Sequence, residues 1–207
     1  ISFYSDNRVI DGTESYDVSE EQNGSVKMYV KQNGENNSLY DLTIVGNGII
    51  AFPEDSSNLL SFNVFDPCSG PLSNLTLIDF NNSIDTSKVT DMSAMFQGGQ
   101  MSTLDLSDFD TSKVTTMGYM FRDCTTPEIK GFNKFNTSNV TDMSGMFYRC
   151  GAASLDLSSF DTTNVTDMNL MFDRSAATEV KGLENFSTNN LTDMSYMFSF
   201  SKIKQLN

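Results

Sequence analysis

The chain of 207 residues contains no histidine and no tryptophan. Without histidine it lacks the commonest general base, the Ser-His and Cys-His nucleophile systems, and imidazole metal ligands. Without tryptophan, any aromatic platform for a sugar has to be Tyr or Phe. Three cysteines with no Cys-x-x-Cys pair give neither a zinc ribbon nor a dithiol redox motif. We therefore expect no cofactor and no metal site.

Basic residues and long apolar runs are also scarce. The 13 Lys and Arg residues stand against 27 Asp and Glu, so the formal net charge is −14. Such a charge repels phosphate backbones and anionic membrane surfaces, which argues against a nucleic-acid partner. No apolar run approaches the length of a membrane span, and no basic segment followed by an apolar stretch opens the chain. We expect no direct membrane insertion in this segment.

What the sequence has in abundance is a repeat of 25 or 26 residues. The motif Val-Thr-Asp-Met-Ser-x-Met-Phe occurs five times, with Thr116 and Gly118 as variants in the second copy and Leu191 opening the last. Its copies close at Phe96, Phe121, Phe147, Phe172 and Phe198. A fixed period of this length is typical of a solenoid, in which stacked repeats share one core.

Each repeat divides into two halves with different periodicities. The first half, as in Leu104 and Leu106 or Leu155 and Leu157, alternates like a strand with its leucines pointing inward. In the second half, apolar residues recur at the spacing of one helical face, for example at Val114, Met117, Met120 and Phe121. A threonine follows the first apolar residue of each helix-like half, in the place of an N-cap, and in four copies an aspartate comes next, in the first turn: Thr90, Thr115, Thr141, Thr166, Thr192, Asp91, Asp142, Asp167 and Asp193. The predicted fold class is an α/β solenoid with one short parallel strand and one short helix per coil.

Two regions follow from these patterns. Residues 1–74 are predicted to form an acidic lead-in and a β-rich cap, and residues 75–207 a solenoid of five repeats plus the start of a sixth. In the cap, alternating residues at 26–30 and 40–44 flank a turn-rich stretch at 33–37 and indicate a hairpin. Residues 49–52 offer a third short strand, and residues 56–62 one irregular helical turn.

Two motifs together resemble a known family. Leu-Asp-Leu-Ser-x-Phe-Asp-Thr, at 104–111 and 155–162, accompanies the Val-Thr-Asp-Met-Ser-x-Met-Phe signature. This combination resembles the BspA-like leucine-rich-repeat surface proteins of bacteria over residues 75–207. The resemblance implies a leucine-rich-repeat-like solenoid, a cell-surface or secreted location as a segment of a possibly longer protein, and adhesion to host or community partners.

The candidate binding residues lie on the exposed sheet face. The strand positions between the inward residues are Asp79, Asp105, Lys130, Asp156 and Lys181, and the middle three alternate in sign along the stack. Two interpretations are open: cross-strand charge pairing, or a polar strip that binds a partner. Phe132 and Leu183 either fill space beside Gly131 and Gly182 or act as apolar anchors. The full candidate set is Thr103, Asp105, Glu128, Lys130, Phe132, Ser154, Asp156, Glu179, Lys181 and Leu183.

Three further sets of equivalent residues each have a structural and a functional interpretation. The repeated methionines are either core filler or thioether ligands for a soft metal. The aspartates of the motif either cap helices or hold calcium between coils, although Thr116 interrupts them. Cys124 and Cys150 are equivalent, 26 residues apart, and are either small buried side chains or a disulfide. Cys68 has no obvious partner.

We weigh three functional hypotheses. The first is a non-enzymatic module outside the cell that recognises a protein or glycan partner through the sheet face. The second is a structural stalk within a larger surface protein. The third is a glycoside hydrolase using two carboxylates such as Asp105 and Asp156. Because the repeat shows no single asymmetric constellation of the kind that catalysis needs, we predict that the chain is not an enzyme and has no catalytic residues.

Overall fold

The computed structural model describes residues 1–6, 14–17, 25–32, 40–61 and 77–204. Most of the predicted acidic lead-in, the turn-rich stretch at 33–37, Cys68 and the first residues of the predicted solenoid lie outside this set, as do residues 205–207.

Four strands form a mixed sheet near the N-terminus. They are β1 (Ser2–Tyr4), β2 (Glu14–Asp17), β3 (Val26–Gln32) and β4 (Tyr40–Gly46), in the order β1-β4-β3-β2. β3 and β4 pair antiparallel along their whole length, which confirms the predicted hairpin. β1 runs parallel to β4 and also bridges the first repeat, where the Asp79 amide donates to the Ile1 carbonyl at 2.8 Å. The sheet is therefore joined directly to the repeats.

Six short strands in the repeat region pair in parallel, two by two. β5 (Ile50–Ala51) pairs with β6 (Ile84–Asp85), β7 (Leu104–Asp105) with β8 (Ile129–Lys130), and β9 (Ser154–Asp156) with β10 (Glu179–Lys181). Each repeat is one coil, and each coil lies against the next. The helical elements among the described residues are two three-residue 3-10 turns, at Phe132–Lys134 and Leu183–Asn185.

The prediction of an α/β solenoid with a helix in every leucine-rich-repeat-like coil is wrong. The segments that carry the motif are chains of tight turns rather than helices. Their amides alternate between two kinds of acceptor. Those of Met117, Tyr119 and Phe121 donate to the next coil, at the carbonyls of Asp142, Ser144 and Met146. Those of the intervening residues donate within the coil: the Gly118 amide to the Thr116 hydroxyl at 3.4 Å, and the Met120 amide to the Met117 carbonyl, three residues back, at 3.2 Å.

Left-handed residues prevent the helix. Tyr119 has φ 57° and Asp123 has φ 53°, and the equivalent residues of every other coil also have positive φ. Two such residues only four positions apart cannot belong to one right-handed helix, in which all φ values are negative. An isolated eight-residue helix is also marginal in water. Neighbouring coils in register offer a hydrogen-bond acceptor to every second amide, so the chain of turns replaces the helix.

One continuous core runs through the stack. The closing phenylalanines Phe96, Phe121, Phe147 and Phe172 are fully buried. Their rings and that of Phe198 stack at centroid distances of 5.5–5.8 Å with interplanar angles of 6–7°. Each such aromatic pair is worth about 0.5–1.5 kcal/mol beyond its burial. The repeated apolar face was read correctly from the sequence, although the backbone that presents it was not.

A buried threonine ties each coil to the next. The threonines Thr86, Thr111, Thr137 and Thr162 are each 1% exposed. The Thr137 hydroxyl accepts a hydrogen bond from the Asp161 amide at 2.8 Å and donates one to the Asp161 carbonyl at 2.9 Å. The other three make the same two bonds to the coil that follows. A single hydroxyl thus satisfies both backbone groups of one residue in the adjacent coil.

The predicted helix caps have other roles. Thr115 does not cap a helix, because both its amide and its hydroxyl donate to the Thr90 carbonyl of the preceding coil, at 2.8 and 3.1 Å. Thr90, Thr141, Thr166 and Thr192 repeat this arrangement. The motif aspartates accept the amide two residues on, as Asp142 does from Ser144 at 2.8 Å. Such Asx turns initiate the turn segment rather than a helix.

Residues 55–61 form a further coil that the sequence reading missed. Asp55 bridges Asp91 in parallel, and the Asn58 amide donates to the Ser93 carbonyl at 2.9 Å. Asn58 has φ 57°, matching Ala94 at 53°. The helical turn predicted for 56–62 is therefore wrong over its described part. This segment is a degenerate copy of the motif, and it covers the first coil of the stack.

The threonine ties can be tested at Thr137. Replacing Thr137 with Val preserves its shape but leaves the Asp161 amide and carbonyl without a partner, so we expect the free energy of unfolding to fall by roughly 2–4 kcal/mol. Thr137→Ser retains the hydroxyl and loses one methyl group, so its loss should be about 1 kcal/mol. Urea denaturation measures both. Equal losses in the two variants would contradict the role assigned to the hydroxyl.

Candidate binding surface on the strand side of the coils

The structure brings the predicted strip together in two blocks. In the first block Asp105 on β7 is in register with Lys130 on β8. In the second, Asp156 on β9 is in register with Lys181 on β10. All four side chains are exposed. Alternate positions along a strand point to opposite faces. The preceding strand residues Leu104, Leu155 and Val180 are buried, so the strip residues that follow them face solvent.

The charges pair along the strands more closely than across them. Lys130 Nζ lies 3.4 Å from Glu128 Oε2, and Lys181 Nζ lies 3.8 Å from Glu179 Oε1. Across the first block, the Thr103 hydroxyl donates to Glu128 Oε2 at 3.2 Å. Ser154 is in register with Glu179 across the second block. Each lysine therefore lies between the carboxylate two residues before it and another on the preceding coil.

Asp105 and Asp156 are held ionised. Each accepts a hydrogen bond from the amide two residues on, from Ser107 at 2.9 Å and from Ser158 at 3.2 Å. These serines, with a smaller contribution from Lys130 or Lys181, lower the pKa of both carboxyl groups below the ordinary value for aspartic acid. Both aspartates are thus permanent negative charges at neutral pH and poor proton donors.

Phe132 and Leu183 do not lie on the exposed strip. Phe132 is 3% exposed, and its ring contacts Phe121, Phe147 and Phe160 edge-on at 5.6–5.9 Å. Leu183 is half-buried against the same core. The preceding Gly131, at φ 96°, allows this inward turn, because a Cβ there would meet the Leu106 and Ser107 backbone at 2.6 Å. Phe132 is therefore inaccessible to a partner and belongs to the core.

A polar cleft of about 740 Å³ opens beside the second block. It is lined by Ser158, Thr178, Glu179, Val180, Lys181, Glu184 and Lys204. Glu184 and Lys204 were not among the residues predicted from sequence. Glu184 belongs to the 3-10 turn Leu183–Asn185, which accommodates the extra residue of this 26-residue repeat. Lys204 lies in the coil that follows, where its amide donates to the Thr178 carbonyl at 3.4 Å. An alignment of these coil positions could have indicated both.

The other sequence candidates lie in structural settings. The methionines of the motif are buried in the four earlier coils, and Met194 in the last coil is exposed. Cys124 and Cys150 are free and buried. Burial raises the pKa of the Cys150 thiol to about 12 and also raises that of Cys124. Across the described ranges, no three His, Cys, Asp or Glu side chains gather as a metal ion would need. In the same ranges, no helix is long and apolar enough to cross a bilayer.

Fold and surface together define a repeat protein whose coils stack on a shared core and display polar side chains at a regular spacing. The family model that matches the chain falls on these coils. It covers residues 65–150 and 120–207 and is described as Mycoplasma protein of unknown function, DUF285. The chain belongs to this family. No curated protein and no solved structure matches it.

The match bears on the resemblance stated above. This family consists of repeats typical of surface proteins, which agrees with the repeat and surface character expected from the motif. Membership of the BspA-like family does not follow from the match. The description of the family assigns no activity, so the role of the exposed strip has to be argued from the structure itself.

The charge of Asp105 can be tested through pH. Asp105→Asn keeps an oxygen that accepts from Ser107 but removes the charge near Lys130, so the variant should be less stable than the parent at pH 7. The difference should stay below about 1 kcal/mol, because the site is open to solvent. Since the folded pKa of Asp105 is lowered, its contribution is present above the unfolded value of about 3.9 and is lost as pH falls through the folded pKa. Thermal unfolding from pH 7 to pH 2.5 should show the difference in stability between parent and variant disappearing. A difference that does not depend on pH would contradict this assignment.

Proposed function

We propose that this protein is a cell-surface or secreted binding and adhesion module that recognises a protein or glycan partner through the exposed strip. The strip consists of Thr103, Asp105, Glu128, Lys130, Ser154, Asp156, Glu179 and Lys181. The observation that carries the proposal is the row of exposed, alternating charges held on a rigid backing of stacked coils. Each of these residues alone is an ordinary surface residue. They form a common surface because they are in register on neighbouring coils.

The charges of the strip are available to a ligand. The side chains of Lys130 and Lys181 are 51% and 61% exposed, and those of Glu128 and Glu179 are 57% and 63% exposed. Exposed ion pairs of this kind contribute about 0–1 kcal/mol. A partner that offers better hydrogen bonds can therefore displace them at little cost. Because the strands beneath are fixed by the core, little ordering is needed on binding.

The cleft beside Glu179 and Lys181 supports a specific contact there. It provides a concave region flanked by carboxylates and amines, which suits hydroxyl, amide or charged groups of a partner. A surface location is supported by the family, whose repeats are typical of surface proteins. A partner outside the cell then follows as part of the proposal.

A structural stalk is the second candidate function, and one observation favours it. Each lysine of the strip has a carboxylate within 3.8 Å, so the charges already satisfy one another without a ligand.

The glycoside hydrolase hypothesis gains no such support at Asp105 and Asp156. Its general acid needs a raised pKa, and the pKa of both groups is lowered.

The proposal is tested by removing the positive charges of the strip. Lys130→Gln combined with Lys181→Gln should weaken binding to an array of glycans or immobilised extracellular-matrix proteins by about tenfold, about 1.4 kcal/mol. The melting temperature should change little, since both side chains are exposed. The matched control is Lys88→Gln with Lys113→Gln, which makes the same change in net charge in the turns after the strands.

Three outcomes decide the matter. Selective loss of binding in the strip variant supports recognition through this face. The proposal is wrong if the strip variant and the control variant bind equally well. It is also wrong if neither the parent nor the variants bind to the glycans or to the proteins. The last of these results would favour the stalk.

A further inference from the structure

The exposed strip consists of two copies of the same four-residue pattern. Each copy has a hydroxyl and an aspartate on one coil, followed by a glutamate and a lysine on the next. In each copy the two strands pair in parallel, with the aspartate in register with the lysine. The first block consists of Thr103, Asp105, Glu128 and Lys130, and the second of Ser154, Asp156, Glu179 and Lys181.

The side chains of the strip form two columns along the stack. Residues two apart on a strand point to the same face, so each coil contributes one residue to each column. Seven of the eight side chains are exposed, and Thr103 is half-buried. In one column hydroxyls alternate with carboxylates, at Thr103, Glu128, Ser154 and Glu179. In the other column carboxylates alternate with amines, at Asp105, Lys130, Asp156 and Lys181.

The column of carboxylates and amines is complementary to its own reverse. A two-fold axis parallel to the strands, placed between the two blocks, turns the strand side of a second copy toward the first and reverses the order of its coils. Asp105 of one copy then faces Lys181 of the other. Lys130 faces Asp156 in the same way, and the symmetry repeats each pair once. Every position in this column therefore meets the opposite charge.

The column of hydroxyls and carboxylates gives the same result. Under the same axis, Thr103 of one copy faces Glu179 of the other, and Ser154 faces Glu128. Each of these contacts joins a hydroxyl donor with a carboxylate acceptor. Among the eight residues of the strip, each carboxylate thus faces an amine or a hydroxyl of the second copy, and none faces another carboxylate.

The alternation also selects one register. A slip by one coil brings Asp105 of one copy opposite Asp156 of the other and places Lys130 opposite its own counterpart. Like charges that face each other are unfavourable and exclude wrong arrangements. The strip therefore specifies both the partner and the alignment.

The ion pairs within each copy leave the strip free to form these contacts. Lys130 Nζ lies 3.4 Å from Glu128 Oε2, and Lys181 Nζ lies 3.8 Å from Glu179 Oε1. An ammonium group has three donors, so each lysine keeps its own glutamate and still accepts a second carboxylate from the facing copy.

Size and net charge make a single contact of this kind weak. Four coils at a spacing of about 4.8 Å span only about 15 Å between the first and the last strand. Two chains of net charge −14 also repel each other at long range, although salt at about 0.15 M screens charges beyond about 8 Å. Such a contact becomes strong when many copies on two facing surfaces engage together.

We propose that the strip recognises the strip of a second copy of this chain, with the two stacks running in opposite directions, so that surfaces carrying the protein adhere to one another. This inference rests on the proposed function, since the same strip binds, and it specifies that the protein partner is this protein itself.

The first test reverses charges and then mixes the variants. Lys130→Glu with Lys181→Glu makes all the charges of the strip negative, and Asp105→Lys with Asp156→Lys makes one column entirely positive. In sedimentation velocity at about 0.15 M salt, each variant alone should self-associate at least about tenfold more weakly than the parent, because like charges then face each other. The mixture of the two should associate at least as tightly as the parent. Thermal unfolding establishes that both are folded.

The matched control is Lys88→Glu with Lys113→Glu. It makes the same change in net charge as the acidic strip variant, but in the turns after the strands. It should self-associate as the parent does. A loss equal to that of the strip variant would show that net charge alone governs association, and would overturn the proposal.

The second test uses the symmetry and changes no charge. The proposed axis places the two copies of residue 154 one coil apart along the stack, about 5 Å, and the two copies of residue 103 three coils apart, about 15 Å. With a mild thiol oxidant, Ser154→Cys should form a disulfide-linked dimer and Thr103→Cys should not. The parent, treated alike, measures any background from the native cysteines. Equal crosslinking of the two variants overturns the proposed arrangement.

The outcomes separate this inference from the proposed function. A parent that stays monomeric up to about 1 mM, or a mixture that does not restore association, overturns self-recognition. If that monomeric parent still binds glycans or matrix proteins through the strip, the proposed function stands. Self-association of the parent, with restoration in the mixture, supports self-recognition whether or not the arrays bind.

Discussion

Backbone hydrogen bonds between successive coils are the constraint on which the repeat region depends. In the turn segments every second amide donates to the next coil, as from Phe121 to the Met146 carbonyl at 2.9 Å. This pattern requires each coil to present its acceptors in the same register as the last, which explains why the period stays at 25 or 26 residues. It also requires left-handed residues at fixed positions, and their conformational cost is met by bonds that no isolated repeat could form.

The side chains reinforce that register from inside. The phenylalanine rings stack with interplanar angles of 6–7°, and the buried threonines give each coil two further bonds to its neighbour. The extra residue of alternate coils is absorbed by a 3-10 turn that points Phe132 into the core. A backing held in this way keeps the outer side chains at regular spacing. The charged strip proposed to bind a partner depends on this regularity.

The sequence predicted the contacts of the core better than the path of the backbone. Val114, Met117, Met120 and Phe121 are buried as the pattern required. Their spacing fits a helix, but over eight residues it also fits a chain of tight turns, so the helix was wrongly preferred. The variable residues two positions before each phenylalanine, including Gly145, were the available signal. The register of Asp105 with Lys130 followed from the repeat, whereas the cleft depends on side-chain directions that spacing does not contain.

The central claim is tested most directly by scalar coupling across hydrogen bonds in isotope-labelled protein. Such coupling reports which carbonyl accepts a given amide. The structure predicts coupling between the Phe121 amide nitrogen and the Met146 carbonyl carbon, 25 residues along the chain. A helix would instead couple the Phe121 amide to the Met117 carbonyl, four residues back. Observation of that second coupling, with none to Met146, would contradict the stacked arrangement and the surfaces derived from it.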